Sequence, residues 1–480
     1  MRRKTKIIAT LGPAVGSLEK ITELIDAGMN VARLNFSHGS FDDHRRFAAW
    51  VREASDKLEQ PVAILQDIQG PRIRVGTFPG GSAVLETGDE LTLHPGEAEG
   101  SSGHLYIENL EHADLAEGAP ILMSDGLVHL ETIYAKDGTV RAKVIEGGVL
   151  RDHKGVAFPG TALQVPAVTA KDAADLAFGG ELGVDFVGAS FVSSGEDVRS
   201  VSKLAGAGTP IIAKIESAVG YANLDDILEV AAGAMVARGD LGVELSFSSV
   251  PRAQKDILRR TNAKARSSIT ATEMLESMTT SPRPTRAEVT DVSSAVLDGS
   301  DAVMLSAETA IGKYPIRTVA AMSRICYEAE QSPGYGRGPE IEFLEDRARF
   351  ASAIAQACVD AATNLGLRVI VAFTESGSTA RLISKYRPRA HIYAYTPEPR
   401  TYRRMAMSAG VTPLMFGRVN STDEMFSYAE QYLLEAEIVH LGEGVVMAAG
   451  IPPNQSASTN IMKLHSVGST TAGIRSKPAG

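Results

Sequence analysis

Cysteine is scarce in this sequence: the 480 residues include only Cys326 and Cys358, and no CxxC pair occurs. A disulfide framework and a cysteine zinc site therefore have no support, and a reducing, cytoplasmic location is expected. No run approaches the roughly 18 to 20 apolar residues that a transmembrane helix needs. Gly12 and Pro13 interrupt the apolar segment after the basic N-terminus, so we interpret it as a first strand and not as a signal peptide.

Positive charge is also in deficit, because 48 Lys and Arg residues against 58 Asp and Glu residues give a formal net charge of -10. Nucleic acids and anionic membranes attract proteins through clustered Lys and Arg, so neither is expected as a partner. A hydrophobic content of 44% is ordinary for a globular protein, and a chain of 480 residues exceeds one hydrophobic core. Two to four domains are therefore expected.

Short β-branched runs alternate with amphipathic helical segments along much of the chain. Strands are predicted at residues 5–11, 30–36, 62–68, 184–191, 210–216, 233–240, 267–273 and 301–307. A strand followed by a helix, repeated eight times, is typical of a (β/α)8 TIM barrel. In that fold the active site forms at the C-terminal ends of the strands.

The remaining segments depart from this repeat. Between residues 71 and 153, Gly-rich turns separate short alternating stretches, which predicts a small all-β domain inserted as a β-barrel lid. After the Gly- and Pro-rich linker QSPGYGRGPE, residues 343–470 predict a doubly wound α/β domain. The barrel then comprises residues 1–70 and 154–330, and residues 471–480 are expected to form a mobile tail.

Polar side chains interrupt two of the predicted barrel strands. In VARLNFS, the side chains of Arg33, Asn35 and Ser37 share one face of the strand and its continuation. In IIAKIES, Lys214 and Glu216 share a face in the same way. A strand packed on both faces carries such residues when they line a site. A solvent-wetted strand end is the alternative for the first set, and a structural ion pair is the alternative for the second.

Further candidates follow the next strands. Asp240 lies at a Gly-flanked turn just past the sixth strand, so it and Glu216 could converge on one cation. Two hard oxygen ligands suit Mg2+ or Mn2+ better than zinc. Thr272 ends the seventh strand, and a Pro-rich turn with Arg283 and Arg286 follows. A divalent metal, a lysine and arginines around one barrel mouth describe a phosphoryl-transfer site.

Long motifs in this sequence, in the same order, resemble those of the pyruvate kinase family. They are TKIIATLGPA, MNVARLNFSHG, IIAKIES, MVARGDLGVE, TATEMLESM and PRPTRAEVTDVSSAVLDGSDAVMLSAETAIGKYP. The resemblance implies Mg2+-dependent transfer of the phosphoryl group of phosphoenolpyruvate to ADP, giving pyruvate and ATP in the last step of glycolysis. It also implies a homotetramer. The alternative is a catalytically silent phosphometabolite sensor on the same fold, which loss of Lys214, Glu216 or Asp240 would favour.

The resemblance implies roles for individual residues. Lys214 would neutralise the transferring phosphoryl group, Arg33 would bind phosphate, and Thr272 would lie near the carbon that is protonated. The expected Mg2+ ligands are Glu216 and Asp240. The expected substrate contacts are Arg33, Lys214, Ala237, Arg238, Gly239, Asp240 and Thr272. The expected nucleotide contacts are Asn35, His38, Arg74 and Lys154, and the expected vestigial monovalent cation site is Asn35, Ser37 and Asp67.

The loop DIQGPRIR at residues 67–74 differs from the DTKGPEIRT of potassium-dependent members of the family. Ile68 stands in place of a threonine that could ligate K+, and Arg72 stands in place of a glutamate. Arginine is always ionised, so Arg72 is expected to act in catalysis as a built-in cation that makes K+ unnecessary. The alternative is an exposed arginine and an unchanged need for K+.

The segment FTESGSTARLISKYRPR resembles the loop in which regulated family members hold an effector phosphate. A strand precedes it and a helix follows, whose first N–H groups favour an anion. The expected effector contacts are Thr374, Ser376, Gly377, Ser378 and Thr379. The effector class would be a sugar phosphate or AMP. Hydroxyl side chains that cap a helix without any ligand are the alternative.

Overall fold

The computed structural model describes residues 3–161, 165–336, 338, 341, 346–419, 421–451 and 459–469. The predicted tail at 471–480 lies outside these residues. Within them, eight parallel strands close into a barrel in chain order. The first to eighth barrel strands are Lys6–Thr10, Val31–Asn35, Ala63–Asp67, Phe186–Ala189, Ile211–Ile215, Gly233–Ala237, Ser267–Ala271 and Ala302–Leu305. Each lies inside its predicted range, so the predicted (β/α)8 barrel is confirmed.

Helices surround the barrel and begin directly after the loops that follow its strands. They are Leu18–Ala27, Phe41–Leu58, Ala170–Leu182, Gly195–Leu204, Ala218–Ala222, Leu224–Val230, Arg238–Glu244, Val250–Ala263, Arg286–Leu297, Ala307–Ala310 and Pro315–Gln331. Capping boxes at Ser40, Thr169, Ser194 and Thr285 satisfy the first N–H groups of the helices that they precede. These caps fix where each loop ends, and the loops carry the polar residues of interest.

The insertion after the third barrel strand consists of strands and short 3-10 turns. Its strands are Ser82–Leu85, Glu90–Pro95, His104–Ile107, Pro120–Met123, Val128–Lys136, Thr139–Glu146, Gly148–Arg151 and Val156–Ala157. The first and seventh of these pair with each other, and the other six form one sheet with Val156–Ala157 and His104–Ile107 at its edges. Single bridges from Arg74 to Gly155 and from Val75 to Ile107 connect these two edges. The exact boundary between lid and barrel stays a prediction.

The C-terminal domain is a five-stranded sheet with helices on both faces. In sheet order its strands are Val411–Met415, His391–Thr396, Val369–Phe373, Gly444–Ala449 and Ile461–Ser466, and the last is antiparallel. Its helices are Asp346–Asn364, Ser378–Lys385, Pro399–Arg404 and Thr422–Glu435, with a 3-10 turn at Met405–Met407. Along the central strand, Ile370 and Ala372 enter one hydrophobic core, whereas Val371 and Phe373 enter the other. The doubly wound α/β prediction is confirmed.

The C-terminal domain covers the N-terminal ends of the barrel strands. Ala406 and Met407 pack into the cluster of apolar side chains that fills the barrel interior. Lys385 and Arg387 form ion pairs with Asp301, which directly precedes the eighth strand. Because this end is covered, a substrate reaches the barrel from the C-terminal ends of its strands. Among the described residues, no helix has both the length and the apolar character needed to cross a bilayer.

Lys6, at the start of the first barrel strand, makes the contact between the barrel and the C-terminal domain depend on pH. Its Nζ donates to the carbonyl oxygen of Val411 at 2.6 Å. Burial lowers the pKa of Lys6 to about 7 from 10.5, and the charge of Arg3 adds to the shift. Between these two values the unfolded chain binds a proton that the folded protein lacks, so the stability contribution of Lys6 rises with pH.

We therefore expect Lys6→Met to gain most over the wild type near pH 6 and to lose that advantage progressively as the pH rises from about 7 towards 10.5. The measurement is urea unfolding of both proteins at a series of pH values. A difference in the free energy of unfolding that stays constant across this window would contradict the shifted pKa.

Candidate active site

The polar residues of the second and third barrel strands meet inside the barrel mouth. Arg33 donates from Nε to Asp67 Oδ2 at 2.6 Å and from Nη1 to Thr10 Oγ1 at 2.9 Å. Arg33 and Asp67 are both buried, with 9% and 1% of their surfaces exposed. Burial alone would raise the pKa of Asp67, but Lys214 and Arg33 outweigh it and hold this pKa below its usual value. Asp67 is therefore a buried carboxylate at neutral pH.

Lys214 lies at the centre of the site. Its Nζ is 2.9 Å from Glu216 Oε1 and 3.3 Å from Asp67 Oδ1, and it donates to Ser190 Oγ at 2.7 Å. Burial would lower the pKa of Lys214, but the two carboxylates outweigh it and raise that pKa. The side chain is consequently a charged ammonium in a largely dry environment. The structure thus brings Lys214, Glu216 and Asp67 together from the fifth and third strands.

Glu216 and Asp240 line one cavity between the barrel and the inserted domain. Burial raises the pKa of Glu216 to about 7, Lys214 opposes the shift, and the negative charge of Asp240 adds to it. Two carboxylates that repel each other across a cavity are suited to share a divalent cation. Among the described residues, no group of three His, Cys, Asp or Glu side chains is arranged to hold a metal. The donor set therefore fits an ion that keeps water or substrate oxygens as its other ligands.

The loop DIQGPRIR places its two arginines on different partners. Ile73 and Val75 are buried in the core of the inserted domain. Arg72 and Arg74 alternate with them along the chain, so their side chains point away from that core. Arg72 donates from Nη2 to Asp240 Oδ1 at 3.2 Å. Arg74 donates instead from Nη1 to the carbonyl oxygen of residue 153 at 2.8 Å. Arg72 is therefore a half-buried residue of the cavity lining.

Thr272, after the seventh strand, is held in a strained conformation. Its φ is +66°, in the left-handed region that a β-branched residue rarely adopts. Thr272 Oγ1 accepts from the N–H of Gly239 at 2.9 Å. The guanidinium of Arg238 donates to the carbonyl oxygen of Thr272 at 2.6 Å and pairs with Asp291 at 2.7 Å. The side chain of Arg238 thus fixes the Thr272 backbone, and only its backbone remains for the expected substrate contact.

The other predicted residues lie around this centre. Asn35 and Asp67 are register partners on neighbouring strands, but the Asn35 amide oxygen accepts from the N–H of Ser37 at 3.2 Å. His38 is exposed in the loop that follows, whereas Lys154 is half-buried in the inserted domain. Both oxygens of Asp67 face cationic side chains. Asn35 and Asp67 therefore lie side by side on neighbouring barrel strands, whereas Lys154 lies between the last two strands of the inserted domain.

Comparison with known proteins agrees with this geometry. A family model described as the pyruvate kinase barrel domain matches residues 2–319, and one described as the pyruvate kinase alpha/beta domain matches residues 352–465. The chain belongs to the pyruvate kinase family. It is 42% identical over 472 residues to the pyruvate kinase of Geobacillus stearothermophilus, which covers 97% of this chain and 80% of that protein.

Two further pyruvate kinases show similar agreement. The enzyme of Staphylococcus saprophyticus is 44% identical over 483 residues, which cover 98% of this chain and 81% of that protein. The enzyme of Clostridium acetobutylicum is 42% identical over 473 residues, which cover 97% of this chain and 100% of that protein. The resemblance inferred from the motifs is confirmed at the level of the family, and the silent-sensor alternative receives no support.

The loop that resembles the effector site of pyruvate kinases carries two kinds of hydroxyl side chain, those that are buried and those that are accessible to solvent. Thr374 Oγ1 accepts from the N–H of Gly377 at 2.9 Å, and Thr379 Oγ1 bonds to Thr459 Oγ1 at 2.6 Å. Both threonines are buried. Ser376, by contrast, is exposed, and its hydroxyl donates to Ser378 Oγ at 3.1 Å. The two serines are therefore the hydroxyls of this loop best placed to meet a ligand.

Sequence reasoning missed three contacts of this pyruvate kinase site. Ser190 and the N–H of Phe191, just after the fourth strand, bind Lys214 and Glu216. Asp291, on a helix, pairs with Arg238 as described above. The serine could have been found, because VGASF contains one polar residue at the end of an otherwise apolar strand. A backbone N–H and a helix carboxylate leave no such signal.

Proposed function

We propose that this protein transfers the phosphoryl group of phosphoenolpyruvate to ADP, giving pyruvate and ATP. The observation that carries the proposal is the buried Lys214 ammonium, held between Asp67 and Glu216 beside Arg33 at the barrel mouth. Such fixed cations stabilise the negative charge of a transferring phosphoryl group. Membership of the pyruvate kinase family makes the chain a phosphotransferase.

Different residues are proposed to stabilise the charge of the phosphoryl group and to position the proton transfer. Lys214 and Arg33 supply positive charge in a site of low dielectric, where each is more effective than in water. The Thr272 hydroxyl is proposed to act near the enolate carbon that is protonated, and the Arg238 side chain fixes the Thr272 backbone. The backbone of Ala237, Arg238 and Gly239 is proposed to bind the substrate carboxylate. Because the Gly239 N–H already donates to Thr272 Oγ1, the carboxylate position and the proton-transfer position are linked.

Glu216 and Asp240 are the residues that would hold Mg2+, or Mn2+ in its place. Their carboxylates line one cavity, and burial together with mutual repulsion favours a divalent cation between them. When bound there, the ion supplies charge neutralisation and a template for phosphate oxygens. Asp240 also holds Arg72 at 3.2 Å, so the guanidinium lies beside the proposed metal site.

The nucleotide is proposed to bind between the barrel and the inserted domain. Asn35 and His38 belong to the barrel side, whereas Arg74 and Lys154 belong to the inserted side. Arg74 pairs with Gly155, directly after Lys154, in a single bridge of the sheet. The two cationic side chains therefore move together when the inserted domain closes, and closure would exclude water before transfer.

We further propose that the protein works without K+. The Arg72 guanidinium lines the same cavity as Glu216 and Asp240 and donates to Asp240, and its fixed charge would act there in place of a bound K+. Asp67, one of the expected ligands of a monovalent cation, is already paired with Arg33 and Lys214. A vestigial site at Asn35, Ser37 and Asp67 stays a prediction.

Regulation and assembly are proposed from the family resemblance and the C-terminal loop. Ser376 and Ser378, at the exposed start of a helix, support binding of a phosphorylated effector, a sugar phosphate or AMP. A homotetramer and a cytoplasmic location are retained as predictions.

The function is tested by measuring pyruvate formation from phosphoenolpyruvate and ADP. Turnover is expected with Mg2+, loss of turnover is expected after chelation with EDTA, and a sugar phosphate or AMP is expected to lower the KM for phosphoenolpyruvate. The assay is run in potassium-free buffer and again with about 100 mM KCl, near cytoplasmic ionic strength. Absence of pyruvate under all these conditions would reject the proposed reaction, and absence of an effector response alone would reject only the effector site.

A further inference from the structure

The corner after the fourth barrel strand contacts both functional side chains of the fifth strand. Lys214 Nζ donates to Ser190 Oγ at 2.7 Å, and the N–H of Phe191 donates to Glu216 Oε2 at 2.6 Å. The two strands are neighbours in register, with Ala189 opposite Ala213. We propose that Ser190 is a positioning residue for Lys214, an inference that rests on the phosphoryl-transfer role proposed for that lysine.

The direction of the hydrogen bonds makes Ser190 an acceptor. A serine hydroxyl has one proton to donate and two lone pairs to accept with. Ser190 Oγ donates its proton to the carbonyl oxygen of Ile68 at 2.7 Å, so its lone pairs are left for the Lys214 ammonium. Ser190 is buried, with 2% of its surface exposed, and water does not compete for this position. The hydroxyl is therefore oriented before any substrate binds.

The contacts of the ammonium explain why a neutral partner matters. A lysine ammonium has three N–H donors, and the structure offers them Asp67, Glu216 and Ser190. The two carboxylates have other charged partners: Asp67 pairs with Arg33, and Glu216 is a proposed metal ligand. The attraction of the two carboxylates for Lys214 Nζ therefore changes whenever Arg33 or the proposed metal changes its own contacts with them. Among the residues that the structure describes, Lys214 is the one charged partner of Ser190, so Ser190 keeps Nζ in place as the other contacts change.

The backbone around Ser190 holds this corner rigidly. Phe191 has a φ of +54°, in the left-handed region, which is unfavourable for a non-glycine residue and persists only where the surroundings enforce it. Gly70, with a φ of +70°, lies so close that a Cβ there would be 2.9 Å from Ser190 Cβ. The loop DIQGPRIR therefore rests directly on Ser190. The same side chain connects the loop that carries Arg72 with the catalytic lysine.

The test compares Ser190→Ala with a matched control, Ser268→Ala. Ser268 is also buried, but it lies within the seventh barrel strand, and its hydroxyl donates to Asn262 Oδ1 at 3.0 Å near the opposite end of the barrel. For Ser190→Ala we expect kcat to fall about 10- to 100-fold, with the KM for phosphoenolpyruvate within about 3-fold of the wild type. For Ser268→Ala we expect lower thermal stability and an unchanged kcat.

The measurements are steady-state kinetics and thermal unfolding of both variants and of Lys214→Met. A folded Ser190→Ala protein with kcat within about 2-fold of the wild type would overturn the inference. Loss of activity in both serine variants in proportion to their loss of stability would also overturn it, since this pattern indicates a structural role. If Lys214→Met retained turnover, the proposed role of the lysine would fail first, and the inference would fail with it.

Discussion

Replacing Lys214 with methionine is expected to abolish turnover while the fold stays intact. The ammonium is the cation that Asp67 and Glu216 hold at 3.3 Å and 2.9 Å, and methionine keeps most of the length of the side chain without its charge. Removal of one fixed donor from an active site costs about 10²- to 10³-fold in kcat, and we expect at least this loss. The measurement is pyruvate formation at saturating phosphoenolpyruvate, ADP and Mg2+.

The structure explains why Lys214→Met should fold. Asp67 keeps its ion pair with Arg33 at 2.6 Å, and Glu216, whose pKa is already raised to about 7, can take up a proton when its partner is lost. Lys255→Met is the matched control, because Lys255 is an exposed lysine on the outside of the barrel that pairs with Asp298, far from the strand ends that form the site. The control is expected to retain the wild-type kcat. Substantial turnover by a folded Lys214→Met protein would rule out the assigned role.

Replacing Arg72 with glutamate is expected to make the enzyme dependent on K+. The wild type should turn over equally with and without KCl, because the Arg72 guanidinium at 3.2 Å from Asp240 supplies a permanent charge. In the variant, a carboxylate faces Asp240, and the like charges repel each other. Without K+ the variant is expected to lose at least about 10-fold in kcat/KM, and KCl should restore part of that loss.

Two controls separate a specific cation effect from a general one. Tetramethylammonium chloride at the same ionic strength should fail to restore the variant, since its methyl groups prevent the direct coordination by oxygen ligands that K+ makes. Arg141→Glu makes the same change of net charge in the inserted domain, where Arg141 pairs with Glu90, and should remain insensitive to K+. A wild type strongly activated by K+, or an Arg72→Glu protein that works equally well without it, would show that Arg72 is not the built-in cation.

The barrel could be predicted because its signals are local. The strands contain β-branched residues, which favour extended backbone. The helices begin after residues such as Ser40 and Thr169, whose side chains cap the first turn. These preferences act over a few residues, so they survive in the folded chain. The pairing of Val156–Ala157 with the inserted sheet was not predicted, because a two-residue strand has too few residues to show a period.

The candidate site was predictable only in part. Alternation placed Lys214 and Glu216 on one face of a strand, and the structure brings their charged atoms to 2.9 Å. The same alternation could not assign partners to Arg72 and Arg74, since both point away from the same buried core. Their partners lie 168 and 79 residues away along the chain. Only closure of the barrel and docking of the inserted domain decide such contacts.

By itself the sequence determined the eight-stranded barrel, the family, and the strand faces that carry charge. Three contacts were decided only by the tertiary structure. Arg72 donates to Asp240, the Arg238 side chain donates to the Thr272 carbonyl oxygen instead of pointing into solvent, and Ser190 accepts from Lys214. The physical reason is that side-chain periodicity fixes a direction from each strand. The partner that a side chain finds in that direction depends on which strand ends, distant in sequence, are brought together when the barrel closes.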